Sequence, residues 1–234
     1  MAILYFIIFF WGASIVSFFN LYDERRRRGE DWIFSRSHCD CCGDTLHWVY
    51  LIPVLGAFIS RGRCSCGAKI SLFHPLTETV GGSLAVFLFF YSAPGDCAGI
   101  YMVGVFFAYL LAIEDVRFQD VYTRDLFFSG VLFTLGTYLR GSIYLLSGLF
   151  LCVLVGALFF LFPKGIGEGD IYYSGFLALG IDGIWNSYLF FTSTFVLAAL
   201  VGGGLYLMQC IKERTIPMFP FFFAAYLLVE IFLS

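Results

Sequence analysis

Charge is scarce in this 234-residue sequence, where only 13% of the residues are Asp, Glu, Lys or Arg and 60% are hydrophobic. Soluble domains carry about a quarter charged residues, so the shortage excludes a soluble globular protein. The net charge of −3 gives the chain no overall basic excess with which to bind a phosphate backbone, and we therefore expect no nucleic-acid partner. The composition predicts that a lipid bilayer surrounds most of the chain.

Histidine is also scarce, with only three residues in the chain, and this limits the possible catalytic groups. His38, His47 and His74 all lie in one polar segment, and no G-x-S-x-G elbow is present. A serine nucleophile needs a nearby histidine base, so the sequence offers no Ser-His pair of that type. Any hydrolytic chemistry must come from other side chains.

Eight charge-free apolar runs predict an all-α membrane protein with about eight transmembrane helices. A helix needs roughly 20 residues to cross the hydrocarbon core, so the fourth and sixth runs are short. The runs are Ala2 to Phe19, Thr79 to Gly95, Cys97 to Ile113, Leu126 to Leu139, Ser142 to Phe162, Ile171 to Ile181, Gly183 to Ile211 and Ile216 to Val229.

The distribution of positive charge favours a crossing by every run. Lys and Arg near span ends accumulate on the cytoplasmic side. With eight crossings, 13 of the 14 positive residues fall on one side and only Arg140 falls on the other. Without the two short runs, Asp115 and Asp170 would lie on opposite faces of the membrane. We therefore expect both termini outside and both aspartates at the cytoplasmic edge.

The same pattern divides the chain into three segments. We expect a first transmembrane helix at residues 1–19, a cytoplasmic cysteine-rich loop at 20–75 and a seven-helix membrane core at 76–234. The basic cluster Arg25 to Arg28 follows the first apolar run instead of preceding it. This order is typical of a retained membrane anchor and not of a cleaved signal peptide.

The polar loop holds five of the eight cysteines, in "HCDCCG" and "RCSCG". Two such cysteine knuckles can form a tetrahedral thiolate site, and a cytoplasmic location favours structural zinc over disulfides. Cys39 and Cys42 have C-x-x-C spacing, whereas Cys64 and Cys66 are one residue closer together. Cys41 is a possible substitute ligand. The alternative is a loop of reduced thiols held by packing alone.

Five acids lie close to predicted span ends, where an unpaired charge is costly and a functional role is the first interpretation. They are Glu78, Glu114, Asp115, Glu168 and Asp170. Two neighbouring carboxyl groups can share one proton and activate water against a peptide carbonyl. The flexible glycines of "KGIGEGDIYY" would let a substrate strand approach Asp170 closely. The pattern thus indicates an aspartic protease.

Four ordered segments carry a family resemblance. "GIGEGD", Gly165 to Asp170, resembles the G-x-G-D motif of the type IV prepilin peptidases. "GASIVSFFN" is similar to the opening of that family, "LIPVLGAFISRGRC" to the segment between its cysteine knuckles, and "HPLTE" to its P-x-x-E motif before the second span.

The resemblance implies roles for individual residues. Asp170 matches one catalytic aspartate, and "DVRFQDVYT" matches the other with Asp115 in first place. Tyr122 stands where the family has proline, which leaves Asp120 and Asp125 as competitors of Asp115. Two further roles concern support: Gly167 and Gly169 would support the backbone around the site, and Glu78 would stabilise helix packing or position substrate.

The resemblance also implies a bifunctional enzyme of the bacterial cytoplasmic membrane. It would remove the positively charged leader of prepilin or pseudopilin precursors after a glycine. It would then methylate the new N-terminal residue with S-adenosylmethionine, whose ligands no glycine motif in this sequence identifies. Alternatives are a presenilin-like intramembrane protease, a non-catalytic pilus or secretion assembly factor, and a transporter. A transporter should show internal repeats or acids at span centres.

Overall fold

The computed structural model describes residues 2–31, 33, 36–39, 41–60, 62–69, 71–91, 98–162, 165–204 and 216–233. Its helices are α1 (Ala2–Arg28), α2 (Leu55–Ile59), α3 (Phe73–Tyr91), α4 (Ala98–Phe118), α5 (Thr123–Leu139), α6 (Leu145–Leu161), α7 (Glu168–Ala178), α8 (Gly183–Leu197) and α9 (Phe219–Leu233). A 3₁₀ turn, Trp48–Leu51, precedes α2, and α8 continues as a π-helix at Ala198–Gly202.

These helices confirm the predicted all-α membrane fold, because the described part of each of the eight apolar runs contains a helix and the cysteine-rich loop lies between the first two long helices. Ala2–Arg28, Gly99–Phe118 and Gly183–Gly202 are long and apolar enough to cross a membrane, and Leu145–Leu161 and Phe219–Phe232 are shorter apolar helices. Four basic residues of the charge argument lie outside the described residues, namely Arg61, Lys164, Lys212 and Arg214.

The chain divides into two compact units, of which the first is Met1–Ser92. Here α1 packs along α3 through small residues that let the two backbones approach closely. A Cβ atom added at Gly82 would lie 2.8 Å from the backbone oxygen of Phe9. Nearby, the side-chain amide of Asn20 donates a buried hydrogen bond of 2.9 Å to the hydroxyl of Thr77. These contacts fix the two helices that flank the cysteine-rich loop.

The second unit, Ala93–Ser234, is built around α4. In the most apolar stretch of this helix, 67% of the residues are buried inside the protein. The corresponding share is 22% for the apolar stretch that begins with α8. Two glycines allow close packing against α5, since an added Cβ at Gly104 would lie 2.7 Å from the Cα of Phe133 and one at Gly136 would lie 2.5 Å from the Cα of Tyr101. The central helix is therefore a rigid support for the residues near its end.

Helix α7 is the shortest of the membrane helices, with 11 residues that span about 16 Å. It packs against α5, α6 and α9, and all of its last six residues are buried. Because protein surrounds it, α7 does not need the length of a lipid-facing span. Its N-terminus carries Asp170.

Candidate functional site

Asp170 is held by the turn that begins α7. It is the third residue of the helix, and its Oδ2 atom accepts a 2.8 Å hydrogen bond from the backbone N–H of Gly167. The backbone N–H of Asp170 in turn donates to the Gly167 carbonyl at 3.2 Å. This reciprocal arrangement satisfies N-terminal groups of the helix, and the helix dipole favours a negative charge there. The carboxylate is thus fixed at a helix start and is 7% exposed.

Asp115 lies in the last turn of α4 and is equally buried. Its Oδ2 atom accepts a 2.9 Å hydrogen bond from the backbone N–H of Phe219, the first residue of α9. The first N–H groups of a helix lack partners within the helix, so this carboxylate satisfies one of them. Both aspartates are therefore oriented by backbone donors at the N-terminus of a helix.

The two carboxylates open into one cavity of about 1220 Å³, whose lining includes Asp115 and Asp170. They are close enough for the charge of Asp115 to act on Asp170. The cavity is larger than the 300–1,000 Å³ of typical small-ligand sites, which suits a peptide chain.

Tyr173 connects the three helices around these carboxylates. It is fully buried one turn after Asp170, and its hydroxyl donates a 2.8 Å hydrogen bond to the carbonyl of Ala108 in α4. Its ring stacks on the ring of Phe219, with centroids 4.0 Å apart. Since the backbone of Phe219 holds Asp115, α4, α7 and α9 meet at this point.

The competing aspartates occupy different surroundings from Asp115. Asp120 is exposed and lines the same cavity. Asp125 accepts a 3.3 Å hydrogen bond from Arg124 and is not part of the cavity lining. Among these three, only Asp115 is both buried and in the cavity.

The two glutamates next to the aspartates also differ from each other. Glu114 is 1% exposed, and its Oε1 atom accepts a 3.5 Å hydrogen bond from the backbone N–H of Tyr122. This contact ties the end of α4 to the start of α5. Glu168 is exposed at the rim of the cavity, where it adds negative charge.

The two glycines before Asp170 have unequal space. An added Cβ at Gly169 would lie 3.3 Å from the ring of Phe219 and 3.9 Å from Leu126, whereas one at Gly167 would meet nothing closer than 3.7 Å. Gly169 therefore permits close packing of α7 on α9. Gly167 supplies the backbone N–H that donates a hydrogen bond to the Asp170 carboxylate.

Glu78 lies in the first unit, on α3. Its Oε2 atom accepts a 2.7 Å hydrogen bond from the backbone N–H of Val54, and it also interacts with Ser17 of α1. Val54 has a φ of 63°, a conformation that is costly for a β-branched residue. The buried carboxylate thus stabilises an unfavourable turn before α2 and links that turn to α1 and α3.

Four cysteines of the loop form a compact thiol cluster. The Sγ atoms of Cys39, Cys42, Cys64 and Cys66 all lie within 4.8 Å of one another. The distance is 3.8 Å between the first and last of these, and 4.0 Å between the middle two. A tetrahedron of 2.3 Å zinc–sulfur bonds has edges of about 3.8 Å. The donor set fits a metal ion, and Cys41 lies outside it.

The backbone explains why the shorter C-x-C knuckle still converges. Each knuckle closes with a turn, in which Gly43 N–H donates to the Cys39 carbonyl at 2.8 Å and Gly67 N–H to the Cys64 carbonyl at 2.9 Å. Both glycines have positive φ, 73° and 85°, which favours glycine. The tight turn brings Cys66 back beside its partner without a second intervening residue.

The neighbouring thiols and backbone groups shift the ionisation of two of these cysteines in opposite directions. A hydrogen bond from the backbone of Cys66 lowers the pKa of the Cys64 thiol to about 6, so this thiol is largely ionised at neutral pH. At Cys42 a backbone hydrogen bond from Asp44 acts in the same direction, but burial and the three neighbouring thiols outweigh it and raise the pKa to about 12. Metal binding would therefore release protons from the cluster.

Tyr173, Phe219 and Val54 make contacts that the sequence analysis missed. Tyr173 follows Asp170 by three residues, and this spacing places both side chains on the same side of α7. The spacing was therefore a sequence signal that Tyr173 lies near the carboxylates. Pro217 and Pro220 flank the start of α9 and marked a helix start. No local sequence signal connected Tyr173 or Phe219 to Asp115, since each lies more than 40 residues from it in the chain.

The fold and site define a class: a polytopic helical membrane protein with two buried, backbone-oriented carboxylates in one cavity and a separate thiol cluster. Residues 10–92 match the family model of the bacterial peptidase A24 N-terminal domain. This range covers the thiol cluster and ends before both carboxylates.

Longer matches extend over most of the chain. It is 27% identical over 205 residues to a "Prepilin leader peptidase/N-methyltransferase" of Klebsiella pneumoniae, covering 82% of this chain and 89% of the relative. It is 26% identical over 231 residues to a protein of the same name in Bacillus subtilis, covering 92% and 88%. No solved structure matches the chain. The chain is thus similar over most of its length to prepilin leader peptidases/N-methyltransferases, and its residues 10–92 match a domain of the bacterial peptidase A24 family.

Proposed function

We propose that this protein is an aspartic endopeptidase that removes the leader of type IV prepilin-like precursors after a glycine. We further propose that it methylates the new N-terminal residue with S-adenosylmethionine. The names of its relatives support both activities.

One observation carries the peptidase proposal: Asp115 and Asp170 are buried, oriented by backbone N–H groups and open to the same cavity. A carboxylate buried only for structural reasons is normally paired with a cation. Here both carboxylates face space that can admit a peptide bond. This arrangement is what water activation requires.

The chemistry follows from the proximity of two like charges, which favours retention of one proton by the pair. The ionised carboxylate accepts a proton from a water molecule as that water attacks the scissile carbonyl carbon. The protonated carboxyl group donates a hydrogen bond to the carbonyl oxygen. The C–N bond then breaks as a carboxyl proton passes to the leaving amine, and the pair is again singly protonated.

The thiol cluster belongs to the proposal as a structural zinc site formed by Cys39, Cys42, Cys64 and Cys66. Zinc would hold the two knuckles together and take no part in peptide cleavage. A presenilin-like protease has no need of such a loop, so the cluster favours the prepilin reading.

The distribution of Lys and Arg supports a cytoplasmic location for both carboxylates in a bacterial membrane. A precursor whose basic leader remains cytoplasmic, and whose apolar helix lies in the bilayer, would present its cleavage site at that level.

Co-expression with a prepilin-like precursor tests the proposal. Membranes with the wild-type protein should yield a shortened precursor with one added methyl group by mass spectrometry. The Asp115→Asn and Asp170→Asn variants should leave the leader in place at equal expression. Cleavage without methylation would remove only the second activity, whereas an uncut precursor with expressed wild type would overturn the peptidase proposal.

A further inference from the structure

The cavity does not end at the carboxylates but continues along α5. Its lining includes a face of that helix from the first turn to the last, which we call the α5 groove face. This face consists of Leu126, Gly130, Val131, Thr134, Leu135 and Tyr138. Gly130, Val131, Thr134 and Tyr138 lie on one side of the helix, because they fall within about a third of its circumference at 100° per residue. Since α5 has 17 residues, the groove face follows about 25 Å of helix.

Helix α7 forms a second wall of this groove. Tyr172 and Phe176 line the same cavity, and the ring of Phe176 lies 3.3 Å from where a Cβ of Gly130 would be. The glycine lets the ring of Phe176 pack closely against the middle of α5. The opposite side of α5, including Phe133 and Gly136, is buried against α4. Beyond the buried Leu126, the groove face is therefore a side of α5 that the described helices leave uncovered, with Val131 48% and Tyr138 64% exposed.

The groove changes polarity along its length. Four acids line the end near the catalytic pair, namely Asp115, Asp120, Glu168 and Asp170. The described lining residues include no Lys or Arg, so this end attracts positive charge. The far end, at Leu135, Tyr138 and Ile143, is mainly apolar.

We propose that the α5 groove face binds the apolar transmembrane helix of the precursor and thereby places the cleavage site at the carboxylates. This inference rests on the proposed function. The acidic end complements a basic leader, and the apolar stretch complements the segment that follows the cut. The groove is continuous with the catalytic cavity, so a peptide bond at the carboxylates must have its neighbouring residues there.

Two substrates distinguish this role from general damage to the enzyme. One is the full precursor in membranes, and the other is a soluble peptide that contains the leader and cut site but no apolar helix. Val131→Trp and Leu135→Trp fill the groove away from the acids. Both should lower kcat/KM for the full precursor about tenfold or more and leave kcat/KM for the peptide unchanged.

Val153→Trp is the matched control, because this residue of α6 is 65% exposed and lies outside the cavity lining. It should cleave both substrates like the wild type. Equal losses on the two substrates, or no loss on either, would overturn the groove proposal. A wild-type protein that cuts neither substrate would instead contradict the proposed peptidase.

Crosslinking identifies directly which molecule occupies the α5 groove face. It does not depend on cleavage of the soluble peptide. A photo-crosslinking residue at position 135 of the Asp170→Asn protein should attach to the apolar segment of the precursor. The same residue at position 153 should not. Attachment at position 135 only to lipid, or to a second copy of this chain, would overturn the proposal.

Discussion

The ring of Tyr173 lies nearly parallel to the ring of Phe219, with an interplanar angle of 13° and a centroid separation of 4.0 Å. The two rings connect the helix that carries Asp170 to the backbone group that orients Asp115. The hydroxyl of Tyr173 extends the connection to Ala108, two turns before Asp115 on α4. The two carboxylates are therefore positioned by one shared aromatic contact.

Substitution of Tyr173 should separate the two parts of this contact. Tyr173→Phe removes only the hydrogen bond to Ala108, a loss of about 1 kcal/mol, and should retain most cleavage. Tyr173→Leu also removes the stacking on Phe219, and an aromatic pair is worth about 0.5–1.5 kcal/mol beyond its buried area. We expect the Leu variant to lower kcat about tenfold with KM nearly unchanged, measured on purified enzyme.

Tyr226→Phe is a suitable control for a buried tyrosine away from the carboxylates. Its hydroxyl pairs with that of Tyr101 at 2.6 Å. This variant should lower the melting temperature of the protein and leave kcat close to the wild-type value. Equal kcat values for Tyr173→Phe and Tyr173→Leu would show that the ring contact does not position the carboxylates.

Asp120 provides a second test of the proposed catalytic pair. Because it is exposed while Asp115 accepts a hydrogen bond from Phe219, Asp120→Asn should retain cleavage within about threefold, whereas Asp115→Asn should have no detectable cleavage. Gel shift of the precursor measures both. The reverse result would assign the catalytic role to Asp120, and Asp125→Asn serves as the control outside the cavity.

The fold could be predicted from the sequence because membrane helices have a simple signal. Each apolar run contained a helix, and the short sixth run became α7, which is buried among other helices. The helix ends were less accurate, since α1 continues to Arg28 through the polar residues after Phe19. Hydropathy marks where lipid can lie and not where backbone hydrogen bonding stops.

The site could be predicted only in part. Glycines and acids in one short motif drew attention to Asp170, which lies buried in the cavity lining, and cysteine pairs predicted the thiol cluster despite the irregular spacing. The contacts of Phe219 with Asp115 and of Glu78 with Val54 span 104 and 24 residues. Both join a side chain to a backbone N–H, and any residue except proline can supply that group, so sequence pattern carries no sign of them.

The two glycines of the motif should respond differently to substitution. Gly169→Val would push against the ring of Phe219, only 3.3 Å from an added Cβ, and so displace the donor to Asp115. Gly167 has a φ of −89°, which alanine can adopt, and an added Cβ there would have no close neighbour. We expect a cleavage rate at least about tenfold lower for Gly169→Val, and a rate near wild type for Gly167→Ala. Similar losses in both variants would contradict the packing role assigned to Gly169.

The thiol cluster predicts a specific zinc stoichiometry. Purified protein in reducing buffer should contain about one zinc ion per chain by elemental analysis, and Cys64→Ser should lose it because three thiolates bind zinc more weakly than four. Cys41→Ser should keep its zinc, since Cys41 lies outside the cluster. This pair matters because both residues sit in the loop and only one contributes to the site.

Metal removal should affect the two proposed activities unequally. The cluster and both carboxylates belong to different compact units of the chain, so a chelator that loosens the cysteine knuckles should reduce methylation before it reduces cleavage. Mass spectrometry of one precursor reports both reactions in the same sample, as shortened chains with and without the added methyl group. Simultaneous loss of both products would mean that zinc supports the whole protein and not only its cysteine-rich loop.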